Sequence, residues 1–428
     1  MTNAHHSPDP SSWFPSPPAP AGYPAHPGAI PLYGPRFHQD PARLYREMRQ
    51  QHGQVVPVLL EGDVPAWLVI GYRELRHVLS NPQLFARDSR RWNAWDRIPP
   101  DWPLMAYVGY QPSMLFTEGA EHQRRAGAVS AALAAVDQFE LKTQCEQIAD
   151  SLIDAFTGSG RADLMAHYAH PMPLLVIAAM FGLPNSEAPG LVVDVSATLN
   201  GGESAMEAYQ RVHATMQRLL DSKRERPGPD VPSRLLAHPA GPADEEIIQD
   251  LIVVMTAGQD TTANWIGNTL RLMLTDERFA VTLSGGRRSA GQALNEVLWE
   301  DSPSQSSIGR WATQDTQLGG QRIRAGDGLI IGMAAANADP QVRPDSYGGS
   351  AGNHAHMSFG HGEHGCPHPA PEIAEVIAHT AVEVILDRLP DVMLAVPADT
   401  LVWRTSIQMR GLSALPVEFT PGYVTGRG

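Results

Sequence analysis

Cysteine is nearly missing from this chain: Cys145 and Cys366 are its only two in 428 residues. Two cysteines far apart in sequence build no disulfide framework and offer no paired C-x-x-C ligand set. Basic residues are in deficit, with 32 Lys and Arg against 46 Asp and Glu and a formal net charge of −14. A general nucleic-acid binder needs a basic stripe for phosphates, so no nucleic-acid polymer is expected among its partners. Long apolar runs are absent as well. Stretches such as Leu174 to Gly182 are too short to span a bilayer, and no basic-then-apolar leader opens the chain. With 43% hydrophobic and 18% charged residues, the expectation is a soluble, cytoplasmic protein with an ordinary core and no membrane partner. No internal repeat and no strand–helix–strand rhythm appears, which argues against a parallel sheet.

What is present divides into a tail and a body. Residues 1–29 are proline-rich, as in SSWFPSPPAPAGYPAHPGAIP, and favour extended chain over packed helix, with Trp13, Phe14 and Tyr23 as anchors that could pin them. Residues 30–428 read as a single domain. DPARLYREMRQQHG predicts a helix capped by Asp40, with Pro41 in its first turn and Gly53 at its end. VVPVLLEGDVPAWLVIGY predicts a hairpin. Segments from about Glu121 to Leu283 read as helices, broken at FGLPNSEAPG and ERPGPDVPSR, and PEIAEVIAHTAVEVILDRL predicts another helix near the end. The fold class is therefore mainly α with small antiparallel β-sheets.

The densest chemistry lies in FGHGEHGCPH, residues 359–368. Two sites want such a loop. A zinc site would use Cys366 with His361, His364 and His368, although one thiolate with closely spaced histidines is not paired zinc spacing. A haem site would use Cys366 as one axial thiolate, which pushes electron density onto iron and favours O–O cleavage. Gly360 and Gly362 would permit the tight turns, and backbone amides would tune the sulfur.

F-G-x-G-x-H-x-C, met here as Phe359, Gly360, Gly362, His364 and Cys366, resembles the haem-binding signature of cytochromes P450. The chain departs from it at His368, where the family carries glycine. The resemblance extends over residues 30 to 420 and implies the family's triangular-prism fold and haem b (iron protoporphyrin IX). AGQDTT, residues 257–262, sits in a long apolar helical run and is odd on helix propensity. Alone it reads as a bent helix whose threonines bond back to carbonyls. Beside the cysteine loop it resembles the P450 A-G-x-D-T motif, where a helix distortion makes room for O2 and water. The resemblance then makes Asp260 and Thr261 catalytic in proton delivery and O2 activation, with Ala257 and Gly258 facing the cofactor.

Other cofactor contacts follow from the same resemblance. His122 in EGAEHQRRAGAV and Arg310 in SIGRWATQD match propionate donors, as does His364 in the loop. The arginine expected four residues after His122 is Ala126, which leaves Arg124 or Arg125 as imperfect substitutes. The largest departure is NEVLWEDSP. P450s place E-x-x-R there, a buried pair completed by a second arginine before the cysteine loop. Here Glu296 remains, Trp299 stands in the arginine's place, and no arginine occurs between Pro344 and Phe359. The third partner is therefore expected to be absent too. A small branch of actinobacterial P450s is similar in carrying tryptophan there.

The implied activity is O2-dependent oxidation, by hydroxylation or oxidative coupling, of a small hydrophobic or aromatic natural product in bacterial secondary metabolism, with cyclodipeptide-like molecules one candidate class. Electrons would come from a ferredoxin and its reductase to a monomeric enzyme. RRWNAWDRIPPDWPLMAYVGY falls where the family's variable loop covers the pocket, so Trp92, Trp95, Trp102 and Tyr107 are candidate substrate contacts; simple packing of the loop is the equal alternative. The competing class is a catalytically impaired P450-like scaffold that binds a partner or carrier protein.

Overall fold

The computed structural model describes residues 28–422 except 35, 38–39, 100–101, 185, 201–203, 277–278, 280–289 and 344–351. The proline-rich tail, with Trp13, Phe14 and Tyr23, lies outside the described residues apart from its last two positions.

Local rules account for the elements that frame the site. Helix Pro41–His52 starts where the Asp40 carboxylate accepts the Arg43 amide proton at 2.8 Å, and it stops at Gly53 with φ 79°. Strands Val55–Leu60 and Val64–Val69 pair antiparallel, as the hairpin pattern predicts, and turn through Gly62 and Asp63, both at positive φ. The proline- and glycine-rich breaks separate helices Pro171–Met180, Ala188–Asn200, Ala205–Glu225 and Val231–Leu236. The 32-residue helix Asp244–Thr275 crosses the middle, packed on Pro171–Met180, Ala290–Glu300 and Ala370–Arg388.

The sheets are small, but the largest is mixed rather than antiparallel. Its order is Ile30–Pro31, Val55–Leu60, Val64–Val69, Gly328–Ile331, Ser307–Ala312, Phe85–Ala86. Val64–Val69 runs parallel to Gly328–Ile331, and Ile30–Pro31 parallel to Val55–Leu60. Val64–Val69 and Gly328–Ile331 are joined through most of the helical body, so no local rhythm betrays that pair. Ile30–Pro31 and Val55–Leu60 flank helix Pro41–His52, but a two-residue strand is too short to read from the sequence. One apolar core fills the helical side, and two smaller ones cover the faces of this sheet. The cysteine loop spans the junction: Met357 belongs to a sheet-face core, and Phe359 packs on the helical core.

Candidate active site

The loop 359–368 is shaped by two glycines and one backbone clasp. Gly360 and Gly362 both sit at φ 73°, where side-chain-bearing residues are strained. A Cβ on Gly362 would also lie 2.5 Å from the Leu79 carbonyl oxygen, so the loop presses directly on the end of helix Tyr72–Ser80. The Cys366 amide donates to the Phe359 carbonyl at 2.8 Å and closes the turn. Cys366 is accessible to solvent, yet the surrounding protein pushes its thiol up to about 12, chiefly by burial, with Glu372 adding to it. A sulfur there is uncharged unless a cation binds it.

Beside the loop lies a cluster of basic side chains whose two arginines have no carboxylate partner among the described residues. Arg87 is 7% and Arg310 2% exposed, and each guanidinium donates only to backbone carbonyls: Arg87 to Leu115 and Gly309, Arg310 to Gly309. Burial lowers Arg87 to about 10; burial and the neighbouring Arg87 push Arg310 well down. His364 stacks 4.0 Å from His122, ring centroid to centroid. Burial first, then His122, Arg310 and Arg87, push His364 down to about 2. Both ring nitrogens of His364 and Nε of Arg310 are buried without a hydrogen-bond partner. Buried polar atoms are rarely left so, and Arg87, Arg310 and His364 together suit a ligand carrying carboxylates. His122 differs from the expectation. Its ring nitrogens lie 3.0 Å from the Met114 carbonyl and 3.1 Å from the Glu363 carbonyl, so it braces the loop in this state.

The substitutes suggested for Ala126 serve elsewhere. Arg125 makes a two-point contact with Asp250, at 2.9 and 2.6 Å, and Arg124 pairs with Glu246, tying helix Gly119–Ala134 to the long helix. The zinc cage is not assembled either. Among the described residues, the one His/Cys/Asp/Glu grouping close enough to hold an ion is His122, Glu363 and His364, which leaves Cys366 out. His368 is exposed and contacts Glu372 at 3.2 Å.

On the long helix, Ala257 is exposed and Val253, Gly258 and Thr261 half-buried, while Gln259, Asp260, Thr262 and Ala263 are buried. The spacing 253, 257, 261 makes an open stripe along one face. The expected distortion is not there. The helix is continuous from Asp244 to Thr275, and within it the Thr261 hydroxyl bonds back to the Ala257 carbonyl at 2.6 Å, as a threonine inside a helix can. Gly258 serves packing instead: a Cβ there would sit 2.9 Å from Cδ1 of Ile177. Asp260 is held by Arg404, whose NH1 is 2.8 Å from Oδ1, in a contact that sequence motifs did not reveal.

Of the four aromatic candidates, three pack the loop. Trp92 is 1% and Trp102 3% exposed, both in the core on one face of the six-stranded sheet. Trp95 leans edge-on against Trp92 and donates to the Ser89 carbonyl at 2.7 Å. Tyr107 packs against the same core but also lies within electrostatic reach of the long helix: burial first, then the Asp260 charge, push its phenol up, while Arg404 opposes them.

The missing third partner of Glu296 exists after all. Arg343 reaches Glu296 at 3.2 Å, from one residue ahead of the interval between Pro344 and Phe359.

The chain is 30% identical over 411 residues to the cytochrome P450 monooxygenase PikC of Streptomyces venezuelae, covering 92% of this chain and 94% of that protein. It belongs to the cytochrome P450 family. The P450 107B1 of Saccharopolyspora erythraea is 29% identical over 395 residues, covering 89% of this chain and 95% of that one. Among solved structures, this P450 is similar to myxobacterial CYP267B1 in complex with myristic acid, with TM-score 0.79, 28% identity, and 91% and 98% of the two chains covered. CYP154C4 from a Streptomyces species superposes with TM-score 0.80 at 27% identity, covering 91% of this chain and 98% of that one. No family model matches the chain. As a P450 monooxygenase it is an oxidoreductase that uses haem, O2 and a redox partner on small molecules. Among the described residues, no helix of this P450 is long and apolar enough to cross a membrane.

Proposed function

We propose that this P450 binds haem b through the Cys366 thiolate and oxidises a small hydrophobic or aromatic natural product, by hydroxylation or coupling. A ferredoxin and its reductase would supply the electrons. The observation that carries the site assignment is the cluster of Arg87 and Arg310, neither paired with a carboxylate among the described residues, beside the unpartnered ring nitrogens of His364, which suits the two propionates. Relatives that bear on substrate class are the polyketide biosynthesis P450 PksS of Bacillus subtilis and a biflaviolin synthase of Streptomyces coelicolor, both 27% identical. Their named roles favour an aromatic or polyketide-type substrate here.

When bound, haem supplies O2 activation at its iron, with Cys366 donating electron density. The chain's own part is positioning and proton supply. Gly360 and Gly362 let the loop approach its neighbours closely, and Phe359 closes the turn over the Cys366 amide. The stripe of Val253, Ala257 and Thr261 leaves room for small molecules, while buried Asp260 sits one turn from Asn264 and pairs with Arg404. On turning away from Arg404, the Asp260 carboxylate would take a proton from solvent water and pass it, by way of water, to the Thr261 hydroxyl, returning to its ion pair once the proton is delivered. Tyr107 contributes a phenol to the same polar corner, where it can meet substrate.

Reduced protein under carbon monoxide should give the thiolate-type difference band; absence of haem after expression with haem supply would sink the enzyme reading and favour a partner-binding scaffold. With haem present, Thr261→Ala should keep O2 consumption but lower product formed per O2 by about tenfold, at the low end of positioned proton-transfer effects. Unchanged coupling would remove Thr261 from the proton route.

A further inference from the structure

Glu296 presents a problem that the pattern E-x-x-W leaves open. Its side chain is 6% exposed on helix Ala290–Glu300, and a carboxylate so placed needs a cation or becomes costly. Arg343 provides it from the stretch after the short helix Met333–Asn337. One guanidinium nitrogen lies 3.2 Å from both Glu296 and Glu300, one helical turn apart, and the guanidinium carbon stands 5.8 Å from the Trp299 ring centre. Trp299 does something an arginine at that position would share between charge and hydrogen bond: its indole N–H donates to the Asn353 carbonyl at 2.9 Å, beside an Asn295 donor at 3.2 Å.

From there the contacts lead to the cysteine loop. His356 stands edge-on to Trp299 at 6.0 Å and tilted against Phe359 at 5.9 Å. Phe359 is edge-on to Trp265 of the long helix at 5.8 Å, and its carbonyl receives the Cys366 amide. We infer that Arg343 and Trp299 divide the missing guanidinium's work. Arg343 neutralises Glu296, and Trp299 clamps the strand of chain that enters the loop, so both are positioning residues for the Cys366 thiolate. The inference rests on Cys366 as the haem ligand.

The test uses purified holoenzyme and reads two quantities: the rate of haem transfer to an excess of an acceptor globin, and the thiolate-type share of the ferrous carbon monoxide spectrum. Arg343→Gln should speed haem loss about tenfold and convert part of the spectrum to the neutral-thiol type, as outer-shell changes do at metal sites. Arg343→Lys, which keeps the charge, should stay within about threefold of wild type. Trp299→Phe keeps the ring and loses the N–H, and should shift the spectrum without losing the Glu296 pair. Glu296→Gln combined with Arg343→Gln leaves no buried charge and should recover most of the loss. If Arg343→Gln does not accumulate, recovery in the double variant supports the inference, and a double variant as defective as a Trp299→Ala control overturns it. Wild-type rate and spectrum in Arg343→Gln also overturn it. A wild-type chain without any thiolate band would instead sink the haem-ligand assignment itself.

Discussion

Two arginine-rich regions meet at Met114, and they treat charge in opposite ways. The Met114 amide donates to Asp250 at 2.6 Å, while its carbonyl faces His122 at 3.0 Å. On the Asp250 side, Arg124 and Arg125 have their own carboxylates, Glu246 and Asp250. On the His122 side, Arg87 and Arg310 have backbone carbonyls and each other, with no carboxylate among the described residues. Arg125 on the first side and Arg310 on the second are each 2% exposed, so exposure does not explain the contrast. The first region is finished by the chain. The second is left for whatever anion the site receives, and the difference is the main support for the proposed position of the cofactor's acidic edge.

Breaking each region should therefore have opposite consequences. Arg125→Met leaves Asp250 buried beside no cation, and burial already pushes that carboxyl up. The cost should be about 3–5 kcal/mol in chemical unfolding, largely recovered by adding Asp250→Leu. Arg310→Met removes a buried cation that has no acidic partner. The haem-depleted chain should unfold no earlier than wild type, while haem transfer to an acceptor globin quickens by about tenfold or more. If Arg310→Met destabilises the haem-depleted chain as much as Arg125→Met does, the contrast between the regions is false.

A similar division separates the aromatics of the loop 90–110. Trp92 packs against Trp95, Trp102 and Trp311, so Trp92→Ala should cost about 3–5 kcal/mol and lower the unfolding midpoint whatever the substrate. Tyr107→Phe removes only a phenol near Asp260 and Arg404. It should leave the midpoint nearly unchanged and shift substrate affinity instead. A stability loss in Tyr107→Phe equal to that of Trp92→Ala would return Tyr107 to the packing role.

What the chain disclosed before its structure was known is what depends on short-range order. The Asp40 cap, the Gly360 and Gly362 turns and the cysteine loop are each set within about ten residues, so spacing announces them. Arg87, Arg343 and Arg404 act through contacts separated by 222, 47 and 144 residues, and nothing in their neighbours marks them. Arg343 was obscured further because it lies one position ahead of the interval in which a partner was expected. The tryptophans failed for another reason: a ring that lines a pocket and a ring that fills a core have the same composition. Trp92 and Trp102 are resolved only by the sheet face that buries them. The parallel pairing of Val64–Val69 with Gly328–Ile331 was hidden for the reason that hid the arginines, since those strands are joined by most of the helical body.

The smallest expected effect separates the backing of the loop from its ligand side. His356 is half-buried between Trp299 and Phe359, with His354 the nearby charge, and burial first and His354 second push it from 6.5 down to about 4. The fold thus favours neutral His356. As pH falls below about 6.5 the unfolded chain takes up the proton first, so the stabilisation present above that pH erodes towards about 4. Wild-type holoenzyme should show a falling unfolding midpoint between about pH 7 and pH 5. His356→Phe keeps an aromatic ring between Trp299 and Phe359 but cannot titrate, and should flatten that slope while leaving the midpoint near pH 7 little changed. An identical slope in the variant would show that protonation elsewhere governs the acid sensitivity, and that the Trp299–His356–Phe359 contact acts by packing alone.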